Sequence, residues 1–191
     1  MAIDIPMRFE AEALLWCVDD VYTAAECAAF VDLIERSSPK LATNNPLYRD
    51  QDRVIRDDPA VARDLFARLR PRLPERMGAL RLHGLNERLR FYRYRAGQRF
   101  DPHMDHWHRY DDRRVTLHTV LAYFNDDFDG GETAFHEQLD AVIQPRAGRV
   151  AVFQHKIRHE GRPVLRGTKY AMRSDVIYEA DDVIGRLGSA P

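Results

Sequence analysis

The order of patterns along the chain predicts a mainly β fold with N-terminal helices, an all-β core buttressed by helical segments. Two observations carry this reading. Apolar residues recur at helical spacing as far as Leu69, and from Leu80 onward the dominant period falls to two. Size sets the frame: 191 residues, 45% of them hydrophobic and 31% charged, describe a globular chain of ordinary domain length. A chain of this size buries roughly 70% of the surface it exposes when unfolded, enough for a core without disulfide or metal staples. No repeat, low-complexity tract or linker divides it. The expectation is one domain over residues 1–191, with 1–80 as helical buttress and mouth loop and 81–180 as β core.

The first helix is expected over residues 24–35. Thr23 followed by Glu26 has the capping-box pattern, and Cys27, Phe30, Val31, Leu33 and Ile34 share one face. Pro39 ends it. Residues 38–58 read as a polar, irregular loop containing Asn44, Asn45, Tyr48, Arg49, Arg53 and Arg56. A second helix is expected over residues 58–69, where Val61, Leu65, Phe66 and Leu69 recur at helical spacing before Pro71 and Pro74. The strands expected after it are an alternating run around 89–94, then 115–124, 132–135, 150–153 and 168–178. In the last of these Lys169, Arg173 and Asp175 interrupt the apolar pattern on one face. Polar groups turned into a β core line a site, because burying them otherwise costs too much.

A net charge of −1 argues against general electrostatic adhesion to nucleic acid or anionic membrane, which needs a basic excess, and leaves room for local basic patches. No apolar run approaches the ~20 residues of a membrane span, and the N-terminal residues, with Asp4 and Pro6, do not resemble a signal peptide. Cys17 and Cys27 are too few and too close for a disulfide framework, so a reducing, cytoplasmic location is expected.

Chemistry concentrates at His103 and Asp105. Two residues apart in extended chain, they point to one side and offer an imidazole and a carboxylate as adjacent corners of a metal site. One further histidine would complete a facial set that leaves open positions on an octahedral ion, as suits non-haem Fe(II). His159 is the best third ligand and His155 its rival. The His-x-Asp spacing also recurs by chance, and the chain holds 8 histidines. His118 and His136 read as barrel or surface residues.

The surrounding segments restrict the choice. In order they are Tyr94 within YRAGQRF, the His103 segment DPHMD, Thr119 in TVLAYFN, then GGETAF, QPRAG before the 150–153 strand, HEGRPV from His159, and GTKY containing Lys169. Taken together, residues 88–178 resemble the prolyl 4-hydroxylase-like branch of the Fe(II)/2-oxoglutarate-dependent oxygenases. The resemblance implies a double-stranded β-helix, a cupin-like jelly roll, and a single dioxygenase domain. It implies Fe(II) on His103, Asp105 and His159, with 2-oxoglutarate and O2 as cosubstrates and ascorbate as an accessory. Lys169 matches the cation for the distal carboxylate of 2-oxoglutarate, and Tyr94 and Thr119 match hydroxyl positions around it. Arg173, on the same side of the strand as Lys169, is read as a second cation near the cosubstrate or as a partner of Asp175 or of a substrate carboxylate.

The implied reaction hydroxylates an unactivated C–H bond, with succinate and CO2 as coproducts. The substrate is expected to be an amino-acid-like small molecule or a prolyl residue, with Arg53, Arg113 and Arg114 as contacts at the mouth. A Trp that many prolyl hydroxylases carry in the last strand is missing here. Two other classes compete: a cupin-like metal-binding or sensor protein without turnover, and an interaction module with incidental histidines. Neither needs Lys169.

Overall fold

The computed structural model describes residues 8–10, 12–43, 45–137 and 139–180; Asn44 and the N-terminal stretch with Asp4 and Pro6 lie outside the described residues. Fifteen strands and two α-helices follow in chain order. They are β1 (Leu15–Val18), α1 (Ala24–Arg36), β2 (Lys40–Leu41), β3 (Asp52–Asp57), α2 (Pro59–Leu69), β4 (Arg76–Met77), β5 (Leu80–Leu85), β6 (Arg88–Arg95) and β7 (Phe100–His103). Then come β8 (Arg114–Tyr123), β9 (Asp129–Gly130), β10 (Thr133–Phe135), β11 (Val142–Ile143), β12 (Val150–Gln154), β13 (His159–Gly161), β14 (Val164–Arg166) and β15 (Thr168–Ala180).

A nine-stranded antiparallel sheet runs β1-β12-β8-β15-β6-β3-β2, with β5 also on β15 and β4 on β5. A four-stranded sheet, β11-β10-β13-β7, carries the second wall. This is the jelly roll that the family resemblance implied. Strand alternation builds two cores from it. Leu89, Phe91, Val120, Ala122, Val150, Val152, Met172 and Val176 join a cluster that also contains Cys27 and Ile34 of α1 and Ala62, Leu65 and Leu69 of α2. Tyr92, Tyr94, Tyr123, Ala151, Phe153 and Ala171, one residue out of phase with these, form the other cluster, with Phe135, Ile143, Ile157 and Val164. The helices therefore cover one face of the large sheet, and the opposite face is the barrel interior. Lys169, Arg173 and Asp175 share the phase of Ala171.

Both helices begin where the sequence places them. Thr23 accepts from the Glu26 N–H while Glu26 reaches back to the Thr23 N–H, so the capping box is closed. The Asp58 carboxylate accepts from the Val61 N–H, and Pro59 occupies the first turn. Cys17 and Cys27 are free thiols. No helix among the described residues is long and apolar enough to cross a membrane.

The N-terminal third is less helical than its pattern suggests. β1 pairs with β12, and β3 lies inside the stretch expected to be a loop, paired along its length with β6. β3 offers only Val54 and Ile55 as apolar residues between charged ends. Backbone pairing and the grip of Arg93 and Arg95 on Asp52, at 2.9 and 2.8 Å, hold it instead. Arg53 is thus a strand residue and not part of an irregular loop.

Candidate metal and cosubstrate site

β7 and β13 are neighbours in the small sheet, and their register sets His103 opposite His159. Each imidazole is fixed by its Nδ1–H, which donates to a backbone carbonyl: Asp101 for His103 at 2.8 Å, Ile157 for His159 at 2.9 Å. A carbonyl can only accept, so both Nε2 atoms carry lone pairs. They face Asp105, at 4.0 Å from Oδ1 for His103 and 3.7 Å from Oδ2 for His159. The ligand atoms of all three residues lie within 4.8 Å of one another. His103 stacks on Phe100 and His159 packs edge-on against Phe153.

The electrostatics suit a cation. Burial, and then the neighbouring His159, push His103 down to about 4, and burial also lowers His159, so both rings are neutral ligands near pH 7. Burial opposes ionisation of Asp105, yet Arg173, followed by His159, holds its carboxyl well below the usual range. Two neutral imidazoles and one carboxylate on one face are the donor set that non-haem Fe(II) takes. His103, Asp105 and His159 therefore fit the metal that the sequence pattern implied.

The carboxylate is held from both sides. Arg173 Nη2 lies 3.1 Å from Oδ1, and the Thr119 hydroxyl donates to Oδ2 at 2.5 Å. Thr119 has spent its only proton, so it accepts from His155 Nδ1–H at 2.9 Å. His155 Nε2 must then accept from the Thr116 hydroxyl at 3.1 Å, and Thr116 in turn accepts from the backbone N–H of His108 at 2.9 Å. This buried chain fixes the His155 tautomer and ties the metal carboxylate to the segment that follows it. It exists because β8 bulges at Leu117: Ile177 pairs with Thr116 while Val176 pairs with His118. The extra residue shifts the phase of the strand and brings both threonines to one side. His155 is thereby a partner of Thr119 and lies outside the metal set. Thr119, read from the sequence as a contact of the 2-oxoglutarate carboxylate, is engaged by Asp105 and His155.

Lys169 is buried on β15 opposite Tyr94, with its ammonium 5.3 Å from the ring centres of Tyr94 and Tyr123. It donates to the Gly131 carbonyl at 2.5 Å and has no carboxylate partner among the described residues. Burial pushes its amine down to about 7. Gly131 sits at φ +68°, and a Cβ there would come 3.2 Å from Lys169 Cδ, so glycine is what lets the backbone reach the ammonium. Lys169, Tyr94, Thr119 and Arg173 line one cavity together with the triad.

A larger cavity of about 1080 Å³ opens on the other side of His103, Asp105 and Arg173. Arg90, Asn86, His83, Tyr110, Trp107 and Arg63 are among its walls; no local pattern marked the last five. Arg114 lines it and pairs with Asp111 at 2.7 Å. Arg113, expected at the same entrance, instead donates to the Ala180 carbonyl at 3.0 Å and is not among the lining residues. Arg53 stands beside Tyr92 on β3, at the margin and not in the wall.

The family model of the 2OG-Fe(II) oxygenase superfamily matches residues 89–174. No curated protein matches the chain. Among solved structures, the viral collagen prolyl hydroxylase of Paramecium bursaria Chlorella virus-1, in its 2OG complex, is similar at 20% identity and a TM-score of 0.66, covering 90% of this chain and 98% of that one. A prolyl-4-hydroxylase from Pseudomonas putida gives 20% identity, a TM-score of 0.66 and coverage of 90% and 95%. A prolyl hydroxylase from Trichoplax adhaerens, in complex with a hypoxia inducible factor peptide fragment, gives 18%, 0.63, and 92% and 87%. These likenesses establish the fold.

Proposed function

We propose that the chain, whose residues 89–174 match the family model of the 2OG-Fe(II) oxygenase superfamily, is a 2-oxoglutarate-dependent enzyme that hydroxylates an unactivated C–H bond of an amino-acid-like small molecule or a prolyl residue. Succinate and CO2 are the coproducts. The observation that carries this reading is Lys169, a buried amine with no ion-paired carboxylate among the described residues, within the same cavity as the triad. A metal-binding protein without turnover would bear the cost of burying that amine for nothing.

Each residue has a role in this reading. His103, Asp105 and His159 hold the iron, which together with 2-oxoglutarate supplies the oxygen-activating chemistry when bound. Lys169 binds the distal carboxylate of the cosubstrate, and Tyr94, across the strand pair, walls the same pocket. Arg173 keeps Asp105 ionised and in place; its Nε–H, buried without an acceptor among the described residues, is a donor left for the cosubstrate or the substrate. Thr119 and His155 orient the metal carboxylate. Tyr92, Leu121, Phe153 and Ala171 exclude water around this pocket, where exposure would waste the oxidant. The substrate enters through the larger cavity, past Arg114, and an arm of it extends toward Arg53.

The test is succinate release in air with added Fe(II) and 2-oxoglutarate, against free amino acids, N-acylated amino acids and proline peptides. A substrate that raises release at least tenfold, and gains one oxygen atom by mass, supports the reading. Iron and 2-oxoglutarate binding without release from any of these classes would contradict the proposed substrate class.

A further inference from the structure

The strand register lays a row of cations across the interior face of the large sheet. Arg53 on β3 is opposite Tyr92 on β6, Ile55 is opposite Arg90, and Arg90 is opposite Arg173 on β15. Most of these charges have carboxylates: Arg90 and Arg173 share Asp175 at 3.2 and 2.9 Å, and Arg88 has Asp57 at 3.7 Å. Arg53 does not. It is half-buried, and among the described residues it has neither an ion pair nor a side-chain hydrogen bond. The charged groups that bear on it are Arg49, Arg90 and Arg88, against only the Tyr92 phenol, and burial with the Arg49 charge pulls its guanidinium below the usual range.

Arg49 is built into place beside it. Its guanidinium lies 4.4 Å from the Phe100 ring centre and 5.5 Å from that of Tyr92. The fully buried Gln51, in the amide orientation that satisfies both partners, accepts from Arg49 Nε at 2.7 Å and Nη2 at 2.9 Å. Gln51 is neutral, so it fixes Arg49 without cancelling its charge. The nearby acids are turned elsewhere: Asp52 holds Arg93 and Arg95, and Asp50 accepts from the Arg99 N–H. Among the described residues neither guanidinium has a counter-ion; Arg49 lies over Phe100 and Arg53 lies near Arg90, and Phe100 and Arg90 line the large cavity. Like charges held together in a partly dry setting are costly unless an anion joins them.

We propose that Arg53 and Arg49 form an anion subsite at the margin of the substrate cavity, so that the substrate carries a carboxylate or phosphate group remote from the carbon that is oxidised. The spacing follows from the sheet. β3 lies two strands from β15, which is ~10 Å, and Arg173 on β15 touches Asp105. The ligand class is therefore an elongated anion: an acylated or conjugated amino acid, or a peptide whose anionic group lies a few bonds beyond the reacting residue. This inference rests on the hydroxylase reading for its meaning as a substrate contact, but the subsite itself needs no turnover.

The experiment titrates inorganic phosphate and, separately, N-acetylglycine into the protein loaded with Mn(II) and saturating 2-oxoglutarate at low ionic strength, so that Lys169 is already occupied. Calorimetry should show saturable binding of at least one probe, weakened at least tenfold in Arg53→Gln and largely kept in Arg53→Lys. The tighter probe identifies the group as phosphate or carboxylate. Binding of neither probe, or equal affinity in wild type and Arg53→Gln, would overturn the subsite. Failure of 2-oxoglutarate to bind would strike the hydroxylase reading alone, since the probes can then be titrated into the metal-free protein with the same expectation for Arg53.

Discussion

Lys169→Met binds 2-oxoglutarate about a hundredfold more weakly than the wild-type chain and, without cosubstrate, melts at a higher temperature. Removing one partner of a buried, hydrogen-bonded charge pair costs ~2–5 kcal/mol, and each 1.4 kcal/mol is about tenfold in affinity. The stability gain has the opposite origin. Without an anion, the Lys169 ammonium keeps, among the described residues, the Gly131 carbonyl and two tyrosine faces, and burial lowers its pKa from 10.5 to about 7. Between those values the unfolded chain binds more protons than the folded one, so this residue makes stability rise with pH across that window. Its penalty is full below about pH 7 and is gone by pH 10.5. Methionine fills similar volume and never titrates. The variant's advantage in melting temperature should therefore be largest at or below neutrality and vanish toward pH 10. An unchanged dissociation constant for 2-oxoglutarate would remove Lys169 from the site.

Arg173→Met should destabilise the metal-free protein by ~3–5 kcal/mol, because it strands buried carboxylates. Asp105 and Asp175 have side chains only 7% and 4% exposed, and Arg173 bridges them at 3.1 and 2.9 Å. For a chain of this length that is a fall of roughly 10 °C in melting temperature. The loss should fall mainly on Asp105. Asp175 keeps Arg90 Nη1 and Asn86 Nδ2, both at 3.2 Å, whereas among the described residues Asp105 keeps only the Thr119 hydroxyl as a direct donor. Adding Asp175→Asn to the variant should accordingly recover only a minor part of the loss. Thermal melts of the single and double variants check both statements. A fall below about 2 °C would show that the bridge is not what holds these carboxylates.

The barrel strands were legible because one face of each packs against helices and the other against the interior, which imposes period two on β6, β8, β12 and β15. The helices were legible from their caps. β3 was not, since charged residues held by cross-strand ion pairs carry no apolar alternation. β9 and β11, two residues each, exist only through their partners. At the site, His103 and Asp105 stood out by spacing, His159 by the motif around it, and Lys169 by its cost in an apolar strand. The Thr116–His155–Thr119 chain could not be read, because it depends on a bulge at Leu117 that leaves no mark in composition. Arg53 was noticed for its charge, but what distinguishes it, the company of other arginines, arises only when β3 pairs with β6.

The most direct test of the central claim is spectroscopic and anaerobic: Fe(II) is added to the protein, then 2-oxoglutarate, and the weak visible charge-transfer band of the chelated complex is recorded. The account predicts a band in the wild type, its loss together with iron in His103→Ala, and iron retained without the band at the same 2-oxoglutarate concentration in Lys169→Met. Iron bound normally with no band in the wild type would contradict it, as would a band that survives both substitutions.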